Sequence, residues 1–199
     1  MAVTAKQLTF GSEARTKLMA GAHKLYQAVV TTLGPKGRNV SLSGKYSGVI
    51  TVHDGVTVAR EIKLADPGED IGATLLREAA SKTNDIAGDG TTTATVLAYR
   101  IATEGLKHIV AGANPMFLVK GIDKAVKQII EMLLVIAEPI KDVPDKIIQV
   151  ATVSASDEEI GKTVAEAFSK VGTQGIVTVD KGFEPGFTTE FKDGMEWDK

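Results

Sequence analysis

The sequence predicts a mainly α chain with small β elements, an α+β class. Three observations lead there. Long stretches repeat apolar residues every three to four positions, residues 39–43 and 49–53 carry the short pattern of paired strands, and glycine or proline marks each change of pattern.

In the first helical stretch, residues 13–32, Ala14, Leu18, Ala22, Leu25, Val29 and Leu33 fall on one face, with Ser12 placed as N-cap. Gly34-Pro35 stops it, because proline disfavours the α conformation of the residue before it. The two short strands enclose Gly44-Lys45-Tyr46-Ser47-Gly48 and read as a hairpin or stem loop. A second helix over residues 69–87, with Ile71, Leu75, Ala79 and Ile86 on one side, breaks at Gly88-Asp89-Gly90. A third, over 91–111, carries Ala94, Leu97, Ala98, Ile101 and Ile109 along a face. Asn114-Pro115 opens a fourth with an N-cap and a first-turn proline. Its end, residues 129–136, is apolar nearly all round and is expected to be enclosed by neighbours.

Pro139 and Pro144 bracket a charged stretch and mark a domain boundary near residues 137–145. Beyond it, Ser156 and Glu159 read as a capping box for a helix through Ile160, Val164, Ala167, Phe168 and Val171, closed by Gly172. Strand patterns at 176–180 and 187–191 flank a glycine turn.

Composition excludes several function classes. The chain has 199 residues, with 23 Lys plus Arg against 25 Asp plus Glu, so it has no basic field for nucleic acid. No apolar run approaches a membrane span and no signal-peptide pattern opens the chain, so no membrane partner and a cytoplasmic location are expected. The absence of cysteine rules out disulfides, thiolate metal sites and cysteine nucleophiles. His23, His53 and His108 lack metal-ligand spacing and triad partners.

The strongest chemical signal is Gly88-Asp89-Gly90-Thr91-Thr92-Thr93, an acidic glycine turn leading into a helix. Free N–H groups, the positive end of the helix dipole and threonine hydroxyls suit a phosphate. Asp89 alone would repel one, unless it holds Mg²⁺ bridging to phosphate oxygens. A simple threonine-capped helix start accounts for the same residues. Thr31-Thr32-Leu33-Gly34-Pro35-Lys36-Gly37-Arg38 is a second glycine turn, equally readable as a helix stop. His53-Asp54-Gly55 is a third, and there Asp54 can orient a water only if the three turns converge. Gly161-Lys162-Thr163 imitates a P-loop end, but Ser156 replaces the required glycine and Asp157, Glu158 and Glu159 would face the phosphate.

Taken together, the stretches Thr32-Leu33-Gly34-Pro35-Lys36-Gly37-Arg38-Asn39-Val40, Asp54-Gly55-Val56-Thr57-Val58-Ala59-Arg60-Glu61-Ile62 and Ala87-Gly88-Asp89-Gly90-Thr91-Thr92-Thr93-Ala94-Thr95 resemble the group I chaperonins in order and spacing. Arg38-Asn39-Val40 and Val58-Ala59-Arg60-Glu61 favour group I over group II. The resemblance implies chaperonin equatorial-domain helices with a stem-loop hairpin over residues 1–136, part of an intermediate domain over 137–192, and the start of an apical domain over 193–199. It implies hinges at Pro139 and Gly194. It further implies ATP and Mg²⁺ as cofactors, with Thr32, Leu33, Gly34, Pro35, His53, Asp54, Gly55, Asp89, Gly90, Thr91, Thr92 and Thr93 at the nucleotide, Asp89 on the metal and Asp54 assisting hydrolysis. His53 stands where the family commonly has lysine or asparagine.

The implied function is that of an ATP-dependent chaperone subunit, working in a homo-oligomeric double ring with a co-chaperonin lid on unfolded client proteins. A complete family member continues through the apical domain and returns to finish the other two. The chain is therefore expected to be a fragment with hydrolysis near background. The alternative is a non-hydrolysing module that binds chaperonin subunits.

Overall fold

A computed structural model describes residues 7–43, 48–140, 143–172, 175–180, 182, 186–192 and 194. The chain divides into two compact units, Met1–Asp123 and Lys124–Lys199.

The first unit is built around α1 (Gly11–Val30), whose buried residues Gly21, Ala22, Leu25 and Val29 follow the expected apolar face. Ser12 is not its cap: it lies in the first turn, where its carbonyl accepts the Thr16 hydroxyl at 3.0 Å. After α1 come β1 (Val40–Ser43) and β2 (Val49–Val52), antiparallel with Val40 opposite Val52 and Ser43 opposite Val49. This is the expected hairpin, although residues 44–47 of its loop lie outside the described residues. The short α2 (Gly55–Glu61) follows, with Val58 and Ala59 fully buried.

Next is α3 (Pro67–Ala87), capped by Asp66, whose carboxylate accepts the amides of Gly68 and Glu69. Its buried face is Gly72, Ala73, Leu76 and Ala80, not the expected one: Ile71, Leu75 and Ile86 are 56%, 58% and 88% exposed. The cause is the closeness of α1. A Cβ on Gly21 would stand 1.8 Å from the Glu69 carbonyl oxygen, and one on Gly72 would stand 1.9 Å from that of Leu18. Only small residues fit a crossing this tight, so the larger ones turn outward. Ion pairs of Lys17 with Asp66 and of Lys24 with Glu69 flank it.

The following helix, α4 (Thr91–Val110), buries Thr91 and Thr95 rather than the expected face, and Leu97 and Ile101 remain exposed. Thr95 is accommodated because its hydroxyl donates to the Thr91 carbonyl at 2.9 Å, and Ala98 and Tyr99 then pack on the core. Tyr99 stacks on Tyr26 and its hydroxyl lies 2.8 Å from Nδ1 of His23, so this imidazole is satisfied structurally. Helix α5 (Pro115–Ile136) opens as predicted, with Asn114 Oδ1 accepting the Met116 amide at 2.9 Å.

In the second unit, α6 (Pro144–Ala155) starts at the end of the stretch 137–145 read as a boundary, with Pro144 tolerated at its first position. It forms a helical hairpin with α7 (Glu158–Val171). The expected Ser156 capping box is displaced by one residue. Ser156 takes the left-handed conformation (φ 55°) that ends α6, and a cap must be extended, so Asp157 accepts the Ile160 amide at 2.9 Å. Gly161 serves the crossing, since a Cβ there would meet the Thr152 hydroxyl at 2.3 Å and its backbone nitrogen at 2.6 Å. Residues 129–136 of α5 are exposed rather than enclosed, Val135 by 85%. Neither 176–180 nor 187–191 forms a regular strand, and residues 181 and 183–185 of the turn between them lie outside the described residues. Of the expected hinges, Pro139 is exposed in the coil after α5 and Gly194 has φ 130°.

Candidate functional site

Local chemistry shapes each of the three turns. After α1, the Arg38 amide returns to the Thr31 carbonyl at 2.7 Å and the Gly37 amide to that of Gly34 at 2.8 Å, closing a tight loop around Leu33, Gly34 and Pro35. Gly34 has φ 75°, which favours glycine, and a Cβ on Gly37 would stand 2.4 Å from the Thr32 carbonyl oxygen. The Thr32 hydroxyl donates to the Val29 carbonyl at 2.8 Å.

Asp54 is the N-cap of α2, and its Oδ2 accepts both the amide (2.9 Å) and the hydroxyl (2.7 Å) of Thr57. Partial burial pushes the Asp54 carboxyl up. The Thr57 hydroxyl and amide, the Val56 amide and neighbouring His53 outweigh this and hold it below the usual carboxylate range. His53 is itself exposed.

In the third turn, Gly88 (φ 69°) ends α3 and Gly90 (φ 77°) begins α4. Between them, the Asp89 carboxylate accepts the Gly90 amide at 2.6 Å. Among the described residues no side chain caps α4, so the first-turn amides of Thr91, Thr92 and Thr93 have no side-chain acceptor there.

Thr92 is where the turns meet. Its hydroxyl lies 3.4 Å from that of Thr32. Because the Thr32 proton is directed to Val29, Thr92 is the donor in that contact. Gly55 rests against the same atom, for a Cβ at position 55 would come within 2.1 Å of Thr92 Oγ1. Thr32, Gly55 and Thr92 are thus in direct proximity, while among the described residues the Asp89 carboxylate bonds only to its neighbour Gly90.

Among the described residues no group of three or more His, Asp or Glu side chains forms a metal cage. The donor set suits a Mg²⁺ held by one carboxylate and by phosphate oxygens, beside amides free to receive the anion. Two apolar grooves of about 480 and 320 Å³ lie elsewhere on the first unit, lined by Met19, Leu106 and their neighbours, and share no residue with the turns. None of the helices is long and apolar enough to cross a membrane, among the described residues.

Sequence reasoning missed Thr57 and Arg77. The Asp-x-x-Thr spacing of a helix cap could have revealed Thr57. Arg77, in α3, donates to the carbonyls of Ala59 (2.9 Å) and Ile62 (2.8 Å) at the end of α2, a contact with no local signature.

A family model described as the TCP-1/cpn60 chaperonin family matches residues 25–187. The fold is similar to a group III chaperonin in the open state, with a TM-score of 0.67 and 26% identity over 79% of this chain and 32% of that one. It is also similar to the chaperonin gp146 from the bacteriophage EL 2 (Pseudomonas aeruginosa), solved in the presence of ATP-BeFx. That match has a TM-score of 0.65 and 30% identity over 80% of this chain and 28% of the other. The chain therefore spans about a third of the length of these relatives.

Proposed function

The chain belongs to the TCP-1/cpn60 chaperonin family, and on that footing we propose that it forms the ATP-handling part of a chaperone subunit that assists the folding of other proteins. The observation that carries the reading is the meeting of three glycine turns on Thr92, with the uncapped start of α4 beside it.

In this reading the amides of Thr91, Thr92 and Thr93 and the hydroxyls of Thr91 and Thr93 receive phosphate oxygens, and glycine at 88 and 90 lets the main chain come close. Thr32, Leu33, Gly34 and Pro35 border the nucleotide, and Asp89 holds Mg²⁺. When bound, the metal supplies charge neutralisation at the phosphates. Asp54 has one oxygen engaged by Thr57 and stays ionised at neutral pH, so the other is free to orient water toward the terminal phosphate. His53 borders the same edge.

Residues 1–136 then belong to the equatorial domain, 137–192 to the intermediate domain and 193–199 to the apical domain, with hinges at Pro139 and Gly194. The β1–β2 hairpin serves a homo-oligomeric ring that works with a co-chaperonin and unfolded clients. Lack of cysteine agrees with a reducing cytoplasm. The narrower group I assignment rests on Arg38-Asn39-Val40 and Val58-Ala59-Arg60-Glu61.

The test is a Mg²⁺-ATP titration of the ¹⁵N-labelled chain. Amides of Gly55, Thr92 and the 32–35 loop should shift together, and Asp89→Ala should abolish the Mg²⁺-dependent part. Unmoved amides, or an Asp89→Ala response equal to wild type, would remove the nucleotide assignment. Binding without phosphate release would make the chain a binding module rather than an ATPase.

A further inference from the structure

The seven residues of α2 are too few to form a stable helix alone, so its position is decided by its contacts. At its start, Gly55 rests on Thr92 and Asp54 caps Thr57. Along its length, Val58 and Ala59 are fully buried. At its end, the last carbonyls have no intrahelical donor, and a guanidinium from another helix supplies two. Arg77 Nε donates to Ala59 at 2.9 Å and one terminal nitrogen donates to Ile62 at 2.8 Å, a fork that a single ammonium cannot reproduce. The cation also sits at the negative end of the α2 dipole.

Arg77 belongs to α3, which leads eleven residues later into the Gly88-Asp89-Gly90 turn. It thus ties the helix capped by Asp54 to the helix that runs into the turn holding Asp89. The ion pair between these helices, Arg60 with Asp85 at 4.0 Å, is exposed and contributes little. The Leu64 amide, which donates to Asp70 at 2.9 Å, secures only the connection beyond α2.

We propose that Arg77 is a positioning residue for Asp54, acting through α2. Its functional meaning rests on the reading of Asp54 as a site carboxylate; the clamp itself is tested without nucleotide. Arg77→Met removes both donors and Arg77→Lys keeps the charge without the fork. Amide hydrogen exchange and the χ1-dependent couplings of Asp54 are measured in both variants and in wild type.

In Arg77→Met the Thr57 amide, which reports the Asp54 cap, should exchange about ten-fold faster or more, as loss of two charge-assisted bonds implies. The Asp54 couplings should move from single-rotamer to averaged values. Leu25 and Val29 of α1 should keep their protection, and Arg77→Lys should fall between wild type and Arg77→Met. Should Arg77→Met fail to fold, the same comparison is made with Arg77→Lys. Unchanged Thr57 exchange and Asp54 couplings would overturn the proposal, and so would uniform acceleration across the unit, the mark of a merely structural arginine. Adding Mg²⁺-ATP to the wild-type sample separates the two failures: a silent Thr92 amide removes the nucleotide reading and leaves the clamp standing.

Discussion

Adding one methyl group at position 55 tests the convergence of the turns directly. In Gly55→Ala the new Cβ would lie 2.1 Å from Thr92 Oγ1, 3.2 Å from Thr92 Cβ and 3.4 Å from its Cα, and only the last is ordinary contact. Two responses are open. Thr92 can rotate its hydroxyl away and lose the 3.4 Å contact with Thr32, or α2 can retreat and carry Asp54 with it. Either one opens the point where the three turns meet. Overpacking of this kind costs about 1–3 kcal/mol, and replacing a helical glycine returns up to about 1 kcal/mol. The net loss of stability should therefore be about 1 kcal/mol, small enough to leave the unit folded, while Mg²⁺-ATP affinity should fall about ten-fold or more. Urea unfolding gives the first quantity and calorimetric titration the second. Adding Thr92→Ala removes the obstructing oxygen, so the double variant should regain stability without regaining affinity. Wild-type affinity in Gly55→Ala would refute the claim that this contact shapes the site.

Two further outcomes are expected. Gly21→Ala should differ from Gly55→Ala in kind, because its Cβ would meet the Glu69 main chain at 1.8 Å and no rotamer relieves the clash; the loss should reach about 3 kcal/mol, read as a lowered urea midpoint, and a midpoint equal to wild type would contradict the tight α1–α3 crossing. The second outcome concerns acid. The Asp54 pKa is depressed in the folded chain, so its contribution is present above the unfolded value, near 3.8, and disappears as pH falls through the folded one. Asn keeps the cap but not the charge, so urea midpoints followed from pH 6 downward should fall more steeply in wild type than in Asp54→Asn below about pH 4. Other depressed carboxylates, Asp66 among them, act on both curves alike, so parallel curves would argue against an ionised cap at Asp54.

What could be read in the sequence was whatever local chemistry determines. The α1 stripe, the Asn114-Pro115 start, the hairpin and the turn into α2 depend on neighbours within a few residues, and each stands as expected. The faces of α3 and α4 do not depend on such neighbours. Apolar periodicity gives weight to large residues such as Ile71, Leu75 and Leu97, whereas the contacts that orient these helices are made by Gly72 against Leu18 and by a self-satisfied Thr95. Helix α6 was hidden for a related reason: proline beside charge looks like a linker until Pro144 is recognised as a first helical residue. Within the site, the glycines and threonines were evident. Their meeting at Thr92 and the hold of Arg77 on α2 join residues 60 and 15 to 18 positions apart, beyond what periodicity or caps report.

The placement of Asp89 gives the clearest link between local rules and chemistry. Helices α2, α3 and α7 each start behind an aspartate whose carboxylate accepts amides of the first turn. At α4 the aspartate stands one residue earlier and Gly90 takes the cap position, so the carboxylate reaches the Gly90 amide and none beyond it. An aspartate at position 90, with extended backbone in place of the left-handed φ of 77°, would satisfy those amides and turn its charge against an incoming phosphate. The substitution of glycine for aspartate at a cap costs only a few tenths of a kcal/mol. That small local loss leaves free donors at the helix start and a carboxylate directly beside them, which is what an anion carrying a hard cation requires.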